Sequence, residues 1–146
     1  MKQIMNCVFI PHEKIEETLA TPPSQGKKNL EPLKTFSSLH NIPINIVEDV
    51  NVENGTAEVH MHEADLWQCL EGEVAFIHGG TMMEPRFKKN KDETENRNEI
   101  RAEKISGGTV TVLKQGDWLW IPAGQPHQHS CKGTARLLII KIPKTG

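Results

Sequence analysis

Hydrophobic and polar residues alternate along much of the chain after residue 44. The run INIVEDVNVENGTAEVHMH is rich in Val and Ile and alternates apolar with polar positions, a period of two that is typical of a strand with one buried face. Three further runs, DLWQCLEGEVAFIHGG, GGTVTVLKQGDWLWIPAG and TARLLIIKIP, are short, strand-like and bounded by glycine or proline. Short strands at this spacing predict an all-β, antiparallel sandwich or barrel.

The first 45 residues have a different pattern. In HEKIEETLA, Ile15 and Leu19 lie four apart, as they would on one face of a short helix. The following TPPSQGKKNLEP contains three prolines and a glycine, which predicts an exposed connection over residues 21–32. Residues 1–45 are therefore predicted to form a short helical or irregular extension before the strands.

Residues 84–104 interrupt the strand pattern with dense charge of both signs and almost no apolar content. Such a segment is expected to contribute nothing to a core, and we predict a solvated loop or a protruding hairpin in preference to a flap over a pocket. Arg86 would meet an anionic substrate only if this insert folded back, so it is interpreted as a solvated charge.

Length and charge limit the function classes. The 146 residues predict one domain with one core, and a net charge of -2 gives no positive field for nucleic acid. No run approaches the ~18 apolar residues of a membrane span, and the N-terminal residues do not resemble a signal peptide, so we expect a cytoplasmic protein. The three cysteines include no CxxC pair and are expected to be reduced and buried.

Four of the seven histidines lie in two short segments, which is the main chemical signal. His60 and His62 are two apart, so on a strand both would point to one face and share an ion. A carboxylate ligand is predicted from Asp65 or from its rival Glu63, and His127 in IPAGQPHQHS is predicted to be a ligand from a distant part of the sequence. Imidazoles with one carboxylate suit Fe, Mn, Ni, Co, Cu or Zn. His12, His40 and His78 are interpreted as surface or hydrogen-bonded residues.

These two segments together resemble the motifs of the cupin family. The first motif, G(X)5HXH(X)3-4E(X)6G, corresponds to Gly55, His60, His62, Asp65 and Gly72, and the second, G(X)5PXG(X)2H(X)3N, to Gly116, Pro122, Gly124 and His127. Two gaps are one residue short, between Gly55 and His60 and between His62 and the acid. Asp65 replaces the usual Glu, and Cys131 stands where the pattern has Asn.

The resemblance implies a small barrel of two facing antiparallel sheets, of jelly-roll type, over residues 46–142. It implies a divalent transition metal held by His60, His62, Asp65 and His127, and a homodimer to which the N-terminal extension contributes. If both strands are regular, their parity predicts that Trp67, Cys69, His129 and Cys131 line the metal pocket, with His129 as catalytic acid or base. Trp118 and Trp120 share one face, in the core or in a dimer contact.

The function predicted on this basis is a metal-dependent enzyme of dioxygenase, isomerase or decarboxylase type that acts on a small polar metabolite. A binding module that holds a metal and a sugar or metabolite without turnover is the first alternative, because one fold hosts many functions. A metal-free structural barrel is the second alternative. No nucleic-acid or membrane partner is expected.

Overall fold

The computed structural model describes residues 6–53 and 55–144, which form two short helices and twelve strands. The elements are α1 (His12–Leu19), β1 (Gly26–Asn29), α2 (Leu33–His40), β2 (Ile44–Val52), β3 (Ala57–His60), β4 (Glu63–Glu71), β5 (Glu73–His78), β6 (Thr81–Met82), β7 (Arg86–Lys89), β8 (Glu95–Ala102), β9 (Ile105–Ser106), β10 (Thr109–Lys114), β11 (Trp118–Ile121) and β12 (His127–Pro143).

Ten of the strands build two antiparallel sheets that share one long strand, and β6 pairs separately with β9. Sheet A has the order β1-β2-β12-β4-β11, and sheet B the order β10-β5-β12-β3-β8-β7. Strand β12 has 17 residues; its first part pairs in sheet B and its second part in sheet A, with a register shift between Cys131 and Thr134 where it changes sheet. The prediction of an all-β, antiparallel barrel is confirmed.

Strand β2 is buried on both faces, which explains why its alternation gives way to a continuous run of buried residues from Ile46 to Asp49. Val47 belongs to the barrel core, whose buried members are Val47, Trp67, Cys69, Val74, Phe76, Leu113, Ile121, Cys131, Ala135, Leu137 and Ile139. Ile46 lies on the opposite face and packs with Leu30 and Leu33, together with Ile15 and Leu19 of α1. The helices therefore cover part of the outer face of sheet A.

The N-terminal extension contains the predicted helix and one strand that the sequence pattern did not reveal. Residues 26–29 lie inside the predicted exposed connection, yet they pair with the edge of β2, Lys27 opposite Asp49. The edge of β2 offers unpaired backbone groups, which outweigh the weak strand propensity of GKKN. This pairing brings Lys27 to the opening of the barrel. Residues 1–5 of the predicted extension lie outside the described residues.

A buried ion pair attaches this extension to the barrel. The Arg136 guanidinium donates to Glu48 Oε1 through Nε at 3.0 Å and Nη2 at 2.8 Å, and to the backbone carbonyls of Leu19 and Thr21. Glu48 is fully buried and Arg136 is only 4% exposed. Burial opposes ionisation of Glu48, but the hydrogen bonds from Arg136 and Lys28 outweigh it and lower the pKa of Glu48.

The charged insert forms a hairpin whose second strand is part of the barrel wall. β7 pairs with β8, and β8 pairs with β3 so that His60 lies opposite Glu99. Ala102 at the end of β8 is fully buried, so the prediction that residues 84–104 contribute nothing to the core is wrong at this position. Arg86 lies at the surface, 3.0 Å from Glu103.

Trp118 and Trp120 lie on the outer face of β11, and each is 52% exposed. They pair with Gln68 and Leu66 of β4, whose side chains also point out of the barrel. The structure therefore excludes the barrel core as the location of these two tryptophans. None of the described helices is long and apolar enough to cross a membrane.

The turn before β12 is fixed directly against the candidate site. Gly124 has a φ of +86°, in the region that favours glycine, and its N–H donates to the carbonyl oxygen of His60 at 2.9 Å. This hydrogen bond joins the end of β3 to the turn that precedes His127. The Pro-Ala-Gly turn of the second motif thus positions His127 relative to His60.

Candidate metal centre

Three strands bring four ligand-type side chains together inside the barrel. Glu58 and His60 lie two apart on β3 and point inward, and His127 is opposite Glu58 in the register of β12. One ligand atom from each of these three residues lies within 4.8 Å of the others. Asp65 on β4 completes the group, because its Oδ2 lies 3.5 Å from His60 Nε2 and 3.4 Å from His127 Nε2. We call Glu58, His60, Asp65 and His127 the candidate metal centre.

Both histidines are oriented by hydrogen bonds on their outer nitrogens. His127 Nδ1 lies 3.0 Å from the carbonyl oxygen of Gln125, which can only accept, so Nδ1 carries the proton. His60 Nδ1 lies 3.2 Å from Glu99 Oε1. A proton on Nδ1 makes Nε2 the nitrogen that a neutral ring offers to an ion, and in both rings Nε2 faces Asp65 in the centre. Metal-binding histidines in proteins are held in this way, by an acceptor on the other nitrogen.

The residues present fit a metal ion. Among the described residues, His127 Nε2 and Asp65 Oδ2 are buried and have no hydrogen-bond partner, although burying an unpaired polar atom is costly. Ligand atoms about 2.1 Å from one ion at tetrahedral angles lie about 3.4 Å apart. The separations of 3.4 Å and 3.5 Å in the centre agree with this spacing.

The carboxylates of the centre are ionised and are available as ligands. Burial opposes ionisation of Glu58, but its hydrogen bond with His60 and the nearby Lys27 hold its pKa far below the usual range. Burial likewise opposes ionisation of Asp65, and contacts with His127 and Lys141 lower its pKa. For His60, burial disfavours the charged ring, yet Glu58 and Glu99 raise its pKa to about 9. The two carboxylates supply the negative charge that a divalent cation requires, and an ion that binds His60 must displace a proton from its ring.

The sequence-predicted residues are only partly brought together. His60, Asp65 and His127 meet, whereas His62 is exposed because β3 ends at His60 and residues 61–62 form a bend before β4. Glu63 lies 4.0 Å from Lys141, and Asp65 is the acid that contacts both histidines.

Glu58 occupies the place in the centre that was predicted for His62. Two signals in the sequence point to it. It lies two residues before His60, hence on the same face of a strand. The gap between His60 and Asp65 is four residues, within the motif's three to four, whereas the gap after His62 is one short.

His129 forms a second buried polar group beside the centre. Its Nδ1 lies 2.5 Å from Asp49 Oδ2, and its ring stacks on Phe76 and is tilted against Trp67, with centroids 5.1 and 5.3 Å apart. Its Nε2 has no hydrogen-bond partner among the described residues. Burial lowers the pKa of His129, although Asp49 acts in the opposite direction. The sequence indicated His129 but not Asp49, which lies 80 positions away along the chain.

A cavity that contains several polar side chains adjoins the centre. Its inner part, of about 190 Å³, is lined by Lys27, Asn29, Pro43, Asn45, Val47, Glu58, Trp67, Ile139 and Lys141. An outer part of about 330 Å³ shares Lys27, Asn29, Val47 and Glu58 and adds Lys28, Thr56 and Arg101. The Asn45 side-chain oxygen and the Trp67 indole nitrogen lack hydrogen-bond partners within the described chain.

Of the predicted pocket residues, Trp67 lines this cavity and the two cysteines do not. Cys69 is in the barrel core, with its thiol donating to the carbonyl oxygens of Glu71 and Gly72. Cys131 also packs in the core and lines a separate outer groove with Glu73 and Lys132. Burial raises the pKa of both thiols, which makes them poor nucleophiles.

Comparison with known proteins supports the fold and not a particular activity. No family model matches the sequence, and no curated protein matches it significantly. Among solved structures, a cupin-superfamily sugar phosphate isomerase from Silicibacter pomeroyi matches 82% of this chain and 60% of its own, with 14% identity and a TM-score of 0.51.

Two other matched structures have TM-scores of 0.48. A predicted oxalate decarboxylase from Thermotoga maritima shares 14% identity over 81% of this chain and 79% of its own. An oxalate oxidase in complex with glycolate shares 15% identity over 86% of this chain and 54% of its own. The chain spans 41 to 79% of the length of such structures. With its two facing antiparallel sheets and its likeness to the cupin-superfamily sugar phosphate isomerase, the chain has the cupin fold.

Proposed function

We propose that this protein binds one divalent transition-metal ion through Glu58, His60, Asp65 and His127. The observation that carries the proposal is the convergence of two histidine Nε2 atoms on Asp65 Oδ2, two of these three atoms being buried and unpaired among the described residues. Glu58 replaces His62 in the ligand set predicted from the sequence. Two imidazoles with two carboxylates suit Mn, Fe, Co, Ni or Zn better than soft, thiolate-preferring ions.

A metal held there supplies Lewis acidity to an oxygen atom of a bound molecule or, for Fe or Mn, redox chemistry. The protein's own residues select that molecule. Lys27 and Lys141 line the inner cavity with Asn29, Asn45 and Trp67, and a volume of about 190 Å³ holds a molecule the size of a few waters, each occupying about 30 Å³.

The charges around the cavity favour an anionic metabolite. Its two parts are lined by Lys27, Lys28, Arg101 and Lys141 against one acid, Glu58. Lys28 is paired with Glu48, and Arg101 with Glu99. Lys141 is paired with Asp65 at 2.7 Å, whereas the contact of Lys27 with Glu58 is longer, at 3.9 Å. Lys27 is therefore the cation best placed to bind a carboxylate or phosphate group that enters from solvent.

His129 is the residue that we propose to accept or donate a proton. Asp49 holds the proton on Nδ1, so Nε2 is left as a free acceptor. Trp67, which packs against the His129 ring, also lines the cavity. Dioxygenase, isomerase and decarboxylase chemistry on a small hydroxy or keto acid all fit this arrangement.

Small carboxylates are expected to bind the metal-loaded protein. With Mn²⁺ present, glycolate and oxalate should give saturable binding in calorimetric titration, and ethylene glycol, which lacks the charge, should not bind. Lys27→Met should weaken glycolate binding about tenfold or more, because a charge-assisted hydrogen bond is lost. Lys89→Met serves as the matched control, since Lys89 is exposed on β7 and, among the residues described, pairs only with Glu93, at 4.0 Å.

The same titrations separate the enzyme from the binding module. Consumption of a bound acid, followed by NMR, supports the enzyme, and stable binding without consumption supports the non-catalytic alternative. Equal affinity of wild type and Lys27→Met for glycolate would contradict the proposed role of Lys27 in anion binding.

We also propose that the protein forms a homodimer. The exposed apolar residues Val110 and Val112 of β10 and Trp118 and Trp120 of β11 support this, because exposed apolar patches mark interaction surfaces. Sedimentation is expected to show a dimer for the wild type and a shift to monomer for the double variant Trp118→Ser/Trp120→Ser. A wild type that sediments as a monomer up to about 100 µM, far above the Kd of a stable complex, would refute this proposal.

A further inference from the structure

Lys141 lies within the candidate metal centre although it is not a metal ligand. It is on β12, directly opposite Asp65 in the register of sheet A. Its Nζ lies 2.7 Å from Asp65 Oδ1 and 3.1 Å from His60 Nε2. Both contacts are within hydrogen-bonding distance, so one ammonium group bridges two of the four proposed ligands.

The contact with His60 conflicts with metal binding. Because Glu99 engages Nδ1, Nε2 is the nitrogen that His60 offers to the centre. The Lys141 ammonium, 3.1 Å from Nε2, occupies the position from which an ion would bind this nitrogen. A divalent cation would also be repelled strongly by an ammonium this close in a largely buried site. Lys141 and the ion therefore cannot both occupy the positions next to His60.

The structure gives Lys141 a place to go when it leaves Asp65. Its side chain is 32% exposed, and the residue lines the inner part of the cavity beside Asn45 and Trp67. A lysine stem has four rotatable bonds, so the ammonium can turn from the centre towards the cavity without movement of β12.

We propose that Lys141 is a tethered competitor of the metal ion. In the ion-free protein its ammonium neutralises Asp65 and caps His60 Nε2; when the ion binds, the ammonium moves into the cavity, where it adds to the charge that binds an anion. This inference rests on the proposed metal site. This competition lowers the affinity of the protein for the metal ion. It also makes metal binding more favourable when an anion is present, because the metal ion and the anion both favour the position of Lys141 in the cavity.

The experiment compares Mn²⁺ affinity in wild type and Lys141→Met, measured by electron paramagnetic resonance of free Mn²⁺ without added anion. Mn²⁺ is a hard ion, so the new thioether does not act as a ligand. The variant is expected to bind Mn²⁺ about tenfold or more tightly, since a positive charge in direct competition is removed. Lys141→Arg keeps the charge and should stay close to wild type.

Lys88→Met is the control for a simple change in charge, because Lys88 Nζ lies 3.9 Å from Glu99 Oε2 but does not cap a ligand. Lys88→Met should change the affinity for Mn²⁺ by less than about threefold, because partly exposed ion pairs contribute little energy. Lys141→Gln repeats the test if Lys141→Met lowers the melting temperature. Equal Mn²⁺ affinity in wild type and both uncharged variants would overturn the inference and leave the metal site intact, whereas a failure of all of them to bind any divalent ion would overturn the proposed function.

Discussion

Replacing His127 with alanine is expected to remove near-stoichiometric metal from the protein. The variant loses one of the two imidazoles aimed at Asp65, and His60→Ala loses the other. Loss of a residue that hydrogen-bonds to a metal ligand typically lowers metal affinity 10–100-fold. Loss of a ligand itself should therefore lower it by about 100-fold or more. Equilibrium dialysis against Mn²⁺ or Zn²⁺, followed by elemental analysis, measures the effect.

The chain supplies a matched control for this prediction. His62 has the same side chain, lies two residues from His60 and is exposed, so His62→Ala should retain the metal. Glu58→Ala should weaken binding, and Glu58→Gln should do so as well because it removes the negative charge. A His62→Ala protein without metal, together with a Glu58→Ala protein that keeps it, would show that His62 is a ligand and Glu58 is not.

Breaking the buried ion pair between Arg136 and Glu48 is expected to have the largest effect on stability. Arg136→Met leaves Glu48 buried without its guanidinium and leaves the carbonyls of Leu19 and Thr21 without that donor. Removal of one partner of a buried pair costs about 3–5 kcal/mol. Lys28 still lies 3.1 Å from Glu48, so we expect about 3 kcal/mol, the lower end of that range.

Urea unfolding followed by circular dichroism measures this loss. Lys28→Met should cost less than about 1 kcal/mol, because Lys28 is one-third exposed in its pair with Glu48. The double variant Arg136→Met/Glu48→Leu should recover part of the stability, since apolar residues can replace a buried pair. A loss below about 1 kcal/mol for Arg136→Met would contradict the view that this pair holds the extension to the barrel.

The sequence predicted the barrel because strand alternation is a local property. The segments from residue 44 onwards show that period, and they became β2 to β5 and β10 to β12. Strand β1 was missed because its residues have little strand propensity of their own. It forms only because the edge of β2 is there to pair with it, a long-range effect.

The sequence indicated side chains that meet in the structure where one strand or motif decided their position, and it misplaced a side chain where a strand ends early. His60, Asp65 and His127 were singled out from spacing and motif, with Glu63 as a rival to Asp65, and these three meet in the structure. The parity argument for His62 required β3 to continue two residues further than it does. Glu99 reaches His60 through the pairing of β8 with β3, and Lys141 reaches Asp65 through β12 and β4. Such registers are set by the whole fold, so no local pattern could reveal them.

The most direct test of the metal centre is the metal content of the wild-type protein. Protein purified without chelator, or equilibrated in turn with Mn²⁺, Fe²⁺, Co²⁺, Ni²⁺ and Zn²⁺ and then dialysed, is analysed for bound metal. The centre formed by Glu58, His60, Asp65 and His127 predicts close to one ion per chain for at least one of these metals. A protein that retains none of the five would contradict it.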